Sequence, residues 1–285
     1  MPDLRALVSE ELGLPVDPRV SAMAAAIAAK HRTASRAVLF YGSCLREKQL
    51  EGLMLDFYLI VSRYRAAYDN RWLAVANRLI PPNVFYFEKD GIAAKYAVLS
   101  EGDFYRLNGP DTRSVSVWAR FAQPTRLVWA ADEKARERAI EAVSRAAPTL
   151  LAAAGKRSGE KPLDWWRRAF TLTYSAELRA ERKGRSTSVV DSDRQRFIRF
   201  TEPAAAAMDR RPKASWGRRR LEGKLLSVAR LAKASATFAG GADYIAWKIN
   251  RHAGTDIRLK PWQQRHPLLA AVSLLPRLIR SGAVR

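Results

Sequence analysis

Asp56 is the residue that most needs a reason. It stands inside Met54-Leu-Asp-Phe-Tyr-Leu-Ile-Val61, a strongly apolar, β-branched and aromatic run. A lone carboxylate buried in a strand costs several kcal/mol unless it is paired or holds a metal. Upstream, the apolar run Ala37 to Tyr41 breaks at a Gly42-Ser43 step. Glycine lets backbone N–H groups come close to an anion, and such groups at a helix N-terminus bind phosphate. A carboxylate on the following strand is what holds Mg²⁺ against that phosphate. The pair Gly42-Ser43 and Asp56 thus points to metal-assisted chemistry on a polyphosphate. Two residues on from Asp56 stands Tyr58, not a second carboxylate.

Composition narrows the setting. The chain has 285 residues, enough for one large domain or two modest ones. Its 48% hydrophobic and 9% aromatic content excludes a disordered chain. Fifty Lys and Arg against 28 Asp and Glu give a formal net charge of +22, which asks for a polyanionic partner: nucleic acid, an anionic membrane or phosphorylated substrates. One cysteine, Cys44, excludes an internal disulfide and argues against a zinc cluster, as three histidines argue against a His-rich metal site. The acidic N-terminal residues do not read as a signal or transit peptide. No window holds the apolar residues of a membrane span; the nearest, Pro267 to Ile279, is short and contains Pro276 and Arg277. These features place the chain in the reducing cytoplasm, soluble or peripheral.

The elements that must position Asp56 follow from periodicity. An Ala-rich helix over 20–31 leads into a strand at Ala37–Tyr41. After the Asp56 strand, Tyr64, Tyr68, Trp72, Val75 and Leu79 recur at helical spacing until Pro81-Pro82. Val84–Phe87 and Ala93–Leu99 read as strands around Lys89-Asp90-Gly91. From about 101 the pattern turns helical, with helices over Ser114–Phe121, Asp132–Ala154, Pro162–Arg182 and Ser192–Met208 and a polar break at 155–160. Beyond Arg218 a helix sets Leu221, Leu225, Val228 and Ala232 on one side and Arg218, Arg219, Arg230 and Lys233 toward the other. Such a helix, with Trp216, Trp247, Trp262 and the basic tail, suits a membrane surface; basic-aromatic interleaving also suits single-stranded RNA, and a solvated basic face on a helix packed on the domain is the plain alternative. The fold class expected is α+β: a small mixed-sheet domain over 1–125, a helical domain over 126–215 and a basic, aromatic-rich, membrane-associating region over 216–285.

Taken in order, these stretches resemble a family. Strand, Gly-Ser, short helix or loop, and a strand carrying Asp is the layout of the nucleotidyltransferase superfamily typified by polymerase beta. Tyr41-Gly42-Ser43, Leu55-Asp56-Phe57 and Lys95-Tyr96-Ala97-Val98-Leu99-Ser100 resemble the mitochondrial-type phosphatidate cytidylyltransferases, the translocator-maintenance family, which read Tyr-Gly-Ser-Gly, apolar-Asp-Phe and Lys-Tyr-Gly-Val-Ile-Ser. Thr171-Leu172-Thr173-Tyr174-Ser175-Ala176-Glu177-Leu178-Arg179 resembles the family's Ser-Tyr-x-Gly-Asp-x-Arg, and Trp118 to Arg126 sits where the family has Gly-Arg-x-x-Lys-Pro-Val. The resemblance spans about residues 36 to 200.

It implies conversion of CTP and phosphatidate to CDP-diacylglycerol and pyrophosphate with Mg²⁺, in phospholipid biosynthesis, by a peripheral enzyme on the inner face of the membrane. On that mapping Gly42 and Ser43 cradle the CTP phosphates, Asp56 holds the metal, Lys95 neutralises a phosphate and Tyr96 stacks near the base. Tyr174, Glu177 and Arg179 line a helical wall, with Arg179 on lipid or nucleotide phosphate. The departures are Cys44 for the second glycine of the loop and Ala176-Glu177 for Gly-Asp. Glu88, Asp90 and Asp103 are candidates for a second metal ligand, and the sequence selects none. The alternatives are an RNA-directed nucleotidyltransferase and a non-catalytic homologue that binds membrane or nucleic acid.

Overall fold

The computed structural model describes residues 3–47, 54–177, 189–208 and 214–237. A five-stranded mixed sheet forms its centre, in the order β3-β4-β2-β1-β5. The strands are β1 Ser35–Tyr41, β2 Leu55–Val61, β3 Asn83–Lys89, β4 Ile92–Ser100 and β5 Thr125–Ala130. Only β2 and β4 run parallel. The near-continuous apolar runs of β1 and β2 are what a strand covered on both faces requires. One face packs Phe40, Phe57, Leu59 and Val98 against α2 (Pro18–Lys30), α4 (Tyr64–Ala67) and α5 (Arg71–Leu79). The other packs Leu39, Tyr58, Ile60 and Leu99 against the helices that follow the sheet and against α1 (Leu4–Leu12).

Those helices are α6 (Glu101–Asn108), α7 (Trp118–Phe121), α8 (Glu133–Ser144), α9 (Ala146–Ala154), α10 (Pro162–Ala176), α11 (Arg194–Ala206) and α12 (Trp216–Thr237); α3 (Ser43–Glu47) follows the Gly42 turn. The α+β class with a small mixed sheet is as expected, and the breaks carry the differences. The helix expected over 63–79 is two, separated at Tyr68–Asn70, because the Asn70 side chain caps α5 by accepting from the Trp72 N–H at 2.9 Å. The helix expected over 132–154 likewise divides at Arg145. In the stretch that read as helical, Thr125–Ala130 is the edge strand β5, so the sheet runs past residue 125 and its core is continuous with the helices. A buried pair ties the N-terminus to this layer. Arg196 on α11 donates to Glu11 on α1 at 2.5 and 3.1 Å and to the Ala122 carbonyl at 2.9 Å.

The final helix is inverted relative to the plain expectation for a basic helix. Arg219 is buried and Arg230 and Lys233 face inward, whereas Leu221, Leu225 and Val228 are more than half exposed, at 65%, 63% and 57%. Arg219 donates to the carbonyls of Thr112 at 3.0 Å and Arg113 at 2.7 Å, while its Nη2 is buried without a hydrogen-bond partner. A Cβ on Gly223 would overlap the Ala176 carbonyl oxygen, so glycine lets α12 cross closely over the end of α10. Residues 238–285, including Trp247 and Trp262, lie outside the described residues.

Candidate active site

Register gathers the site. Thr125, Tyr41, Asp56, Lys95 and Tyr86 form one row across all five strands and point to the helix-covered face shared with Leu39, Tyr58 and Ile60. In the parallel β2–β4 pair, Asp56 and Lys95 are direct partners, and Lys95 Nζ lies 3.0 Å from Asp56 Oδ1. The pair is partly buried, with side chains 18% and 30% exposed. The contact has the distance of an ion pair but not the alignment of a hydrogen bond, which leaves the buried Oδ1 without a hydrogen-bond donor. Gly42 turns with φ +99°, and a Cβ there would sit 2.9 Å from Asp56 Oδ2. The Gly42 turn therefore keeps one carboxylate oxygen open at the end of β1, with Ser43 beginning α3 beside it.

Behind Asp56 lies a buried guanidinium that sequence reasoning did not single out. Arg120 on α7 donates to the Ser116 carbonyl. Burial works against its charge, but Tyr58, Glu177, Tyr41 and Asp56 around it outweigh this and hold its pKa above the ordinary arginine value. Burial first, and then Asp56, push the Tyr41 phenol well up, so it is neutral near pH 7; the negative charges facing Arg120 there are Glu177 and Asp56. Glu177 caps the end of α10 with a side chain only 7% exposed, and it also faces Arg230 of α12 at 3.9 Å. Arg230 donates to the Pro81 carbonyl at 3.0 Å and reaches Ser114 Oγ at 3.4 Å. Next to it Lys233 donates to the Ile80 and Pro82 carbonyls. Burial, and then Arg230, lower the Lys233 pKa to about 8. Among the described residues, the cations Lys95, Arg120, Arg230 and Lys233 thus lie on the side of the sheet that carries the carboxylates Asp56 and Glu177.

The expected site residues separate cleanly. Asp56, Lys95, Gly42 and Ser43 come together, and Glu177 reaches the same region through Arg120 and Arg230. Tyr174 packs at the margin of the helix-side core. Tyr96 does not join them. Its strand neighbour Lys95 takes the site face, so alternation sends Tyr96 to the opposite core, where His31 Nε2 stands 3.2 Å from its hydroxyl and Phe85 packs on its ring. Tyr96 is a core tyrosine. Arg179 lies outside the described residues. Of the second-ligand candidates, Asp103 sits beyond the far end of β4, where it accepts from Tyr64 and Arg106. Asp90 is exposed on the β3–β4 turn beside Lys89. Glu88 lies on the site face of β3 and accepts from the Tyr86 hydroxyl at 2.6 Å. Cys44 is buried and donates to the Met54 carbonyl at 3.4 Å, so it fills space under the loop that a second glycine would leave open.

Among the described residues no three His, Cys, Asp or Glu side chains cluster as a metal cage. Mg²⁺ needs no such cage, because it binds through one or two carboxylates plus substrate phosphates and keeps several waters. The donor-free, buried Asp56 Oδ1 and the space left by Gly42 fit that mode. No family model matches the chain, and no curated protein matches its sequence. A solved nucleotidyltransferase-like protein from Exiguobacterium sibiricum 255-15 superposes over 92% of this chain and 92% of its own, with 9% identity and a TM-score of 0.30. A superposition that loose transfers neither fold nor activity, and the site stands on its own residues.

Proposed function

We propose that the chain is a Mg²⁺-dependent nucleotidyltransferase that uses CTP and phosphatidate to make CDP-diacylglycerol and pyrophosphate. The observation that carries the reading is the Gly42–Asp56–Lys95 arrangement at one end of the sheet. A glycine turn beside a carboxylate and a lysine suits a metal-bound polyphosphate, and a nucleoside triphosphate is such a ligand. The choice of CTP and phosphatidate comes from the ordered resemblance of Tyr41-Gly42-Ser43, Leu55-Asp56-Phe57 and the Lys95 strand.

In this mechanism Asp56 would hold the metal, which when bound offsets charge on the triphosphate. The Gly42 turn admits the phosphates next to Asp56 because it carries no Cβ. Lys95 exchanges its contact with Asp56 for a phosphate oxygen. An oxygen of the acceptor phosphate attacks the α-phosphorus, the bond to the β-phosphate oxygen breaks, and pyrophosphate leaves with that electron pair. Arg120, fixed and out of bulk water, stabilises the charge that accumulates, since preorganised donors act most strongly in such a site. Among the described residues no helix is long and apolar enough to cross a membrane. The outward Leu221, Leu225 and Val228 of α12, flanked by exposed Arg218, Arg220 and Lys224, supply the contact with an anionic bilayer.

The test is pyrophosphate release from CTP and Mg²⁺ by the purified chain, with and without liposomes containing phosphatidate, beside Asp56→Asn. Release that needs lipid and Asp56 supports the reading. Labelled nucleotide entering RNA and not lipid would move the assignment to an RNA-directed nucleotidyltransferase, for which the charge of +22 is equally natural. Absence of any nucleotide turnover or binding would leave a non-catalytic homologue.

A further inference from the structure

We propose that the outward face of α5, which carries Trp72, Val75 and Leu79, docks on an anionic lipid bilayer as a second contact beside that of α12. The proposal extends the bilayer contact proposed for α12 and stands apart from the nucleotidyl-transfer reading, because it is read without nucleotide or phosphatidate.

α5 is packed inside out. Trp72, Val75 and Leu79 recur at the spacing of one helix face, which periodicity alone would turn to the core. In the fold they are exposed at 55%, 51% and 72%, and the small or polar Ala74, Ala76 and Asn77 are buried instead. Buried amides fix that rotation. Asn77 Nδ2 donates to the Val98 carbonyl at 2.9 Å, Asn77 Oδ1 accepts from the Asn83 N–H, and Asn83 Nδ2 donates to the Leu73 carbonyl at 2.9 Å. Turning the apolar stripe inward would take these partners from the Val98 carbonyl and the Asn83 N–H. Clustered exposed apolar side chains, unlike single ones, mark an interaction surface.

The charge around the stripe selects the occupant. Arg71 and Arg78 are exposed and fall along one flank of it, and Arg63 and Arg65 are exposed at α4 just before it. Over residues 62–80 these four arginines stand against one acid, Asp69. A tryptophan and aliphatic residues flanked by arginine are what an interfacial helix offers to anionic headgroups, with the indole at the polar–apolar boundary. A second copy fits less well, since a two-fold contact through this stripe would set arginines of one copy close to the same arginines of the other. Single-stranded nucleic acid stacks on several aromatic rings, and this stripe carries one.

The stripe also leads to a helix already turned outward. Residues 80–82 follow α5, and their carbonyls receive α12: Arg230 Nε donates to Pro81 at 3.0 Å and Lys233 Nζ to Pro82 at 2.8 Å. The last part of α12 is therefore tied to the turn that ends α5, with Leu221, Leu225 and Val228 exposed farther along the helix. Two outward apolar helices joined at one turn give two points of attachment, which orient a protein on a surface as one cannot.

The test uses the full chain on vesicles of phosphatidylcholine alone and of phosphatidylcholine with phosphatidylglycerol, an anionic lipid that is not a phosphomonoester. Flotation is measured for the natural sequence, for Trp72→Glu with Leu79→Glu, and for Arg71→Gln with Arg78→Gln. Ile198→Glu, which alters an exposed apolar residue on α11, is the control. The natural sequence should bind the anionic vesicles, the Trp72 and Leu79 variant about tenfold more weakly, the arginine variant several-fold more weakly, and Ile198→Glu as the natural sequence does. The variants should keep the natural urea midpoint, because the altered side chains are exposed. On vesicles with brominated acyl chains, tryptophan emission should be quenched less in Trp72→Phe than in the natural sequence; this variant adds no charge and reports contact of the indole itself.

Natural flotation of the Trp72 and Leu79 variant, no flotation of the natural sequence, or quenching unchanged in Trp72→Phe would overturn the proposal. So would a changed oligomeric state or a lost affinity for single-stranded oligonucleotide in the Trp72 and Leu79 variant with flotation kept, which would give the face to a second copy or to nucleic acid. A lowered urea midpoint in that variant would likewise overturn it, by making the stripe part of the fold. Flotation through α5 without any nucleotide turnover would retain the surface and remove the transferase reading. Turnover of CTP with dihexanoyl phosphatidate, beside natural flotation of the variant, would do the reverse.

Discussion

A side chain on Gly42 would place its Cβ 2.9 Å from Asp56 Oδ2, and the Gly42 backbone stands at φ +99°. Both facts act on Gly42→Ala. The left-handed region costs an L-residue about 1–2 kcal/mol, and the new methyl would push the carboxylate from its place. A shift of about 1 Å in a reacting group can cost about 100-fold in rate. Gly42→Ala should therefore lower the urea midpoint by an amount equivalent to about 1–2 kcal/mol. Pyrophosphate release should fall about 100-fold at full occupancy of folded protein. Natural activity in this variant would show that the loop does not approach the substrate.

The Asp56–Lys95 pair, at 3.0 Å, permits a double-mutant cycle that separates stability from chemistry. Lys95→Met leaves a mostly buried carboxylate without its cation and should destabilise by about 1–3 kcal/mol in urea. Asp56→Asn removes the metal-holding carboxylate and should abolish pyrophosphate release while leaving a folded protein. The double variant should regain part of the stability lost in Lys95→Met and none of the activity. Recovery of activity in the double variant would mean that the pair is a structural contact only.

How much of this was legible can be argued from the same residues. Asp56 betrayed itself because a charge amid Leu55, Phe57, Leu59 and Ile60 violates the local pattern, and Gly42 because the break followed a strand. The identity of their partner did not follow, since register between β2 and β4 is a long-range pairing that no local spacing encodes; only the resemblance pointed to Lys95. Tyr96 parts from the site for the complementary reason. It is adjacent to Lys95 in sequence, and alternation along a strand sends adjacent residues to opposite faces. Arg120 and Arg230 were hidden because charged residues on helices normally face water, and the inward turn of α12 is set by Gly223 against Ala176 rather than by periodicity. The edge strand β5 was missed inside a helical stretch because Arg126 and Trp129 blur its alternation.

Away from the site, the Glu11–Arg196 pair joins α1 to α11, both side chains being about nine-tenths buried. Removing one partner of a buried pair strands the other charge at a cost of about 3–5 kcal/mol. Glu11→Gln should therefore lower stability by about that much in urea, whereas the activity per folded molecule stays at the natural level. A loss confined to activity would place this pair in the chemistry instead.

His31 gives a pH prediction. Its Nδ1 lies 2.9 Å from the Ala67 carbonyl and its Nε2 3.2 Å from the Tyr96 hydroxyl. The neutral ring meets both, as Nδ1–H donates and Nε2 accepts. Burial, the largest influence, lowers its pKa from the ordinary 6.5. Above 6.5 both folded and unfolded chains hold the neutral ring and the contribution is fully present. As pH falls below 6.5 the unfolded chain takes up the proton first, so stability declines until the folded pKa is passed. Urea midpoints measured between about pH 7 and pH 5 should fall more steeply for the natural chain than for His31→Gln, and parallel curves would sink the assignment.

The outward face of α12 makes the last prediction. Leu221, Leu225 and Val228 are exposed at 65%, 63% and 57%, while the helix turns Arg219, Arg230 and Lys233 inward. Insertion of this stripe into the headgroup region would remove apolar surface from water at about 25 cal/mol per Å². Exposed Arg218, Arg220 and Lys224 would each add about 1 kcal/mol near anionic lipid. Leu221→Glu with Leu225→Glu removes the apolar contribution and adds repulsion from the lipid charge. Flotation with phosphatidate-containing liposomes should fall sharply in that variant, and more so at raised salt, because screening weakens the remaining basic contribution. Turnover of a soluble short-chain acceptor should persist, since neither leucine touches the Asp56 row. Equal flotation of both proteins would place membrane contact on another surface and leave the stripe as an apolar face that binds something other than lipid.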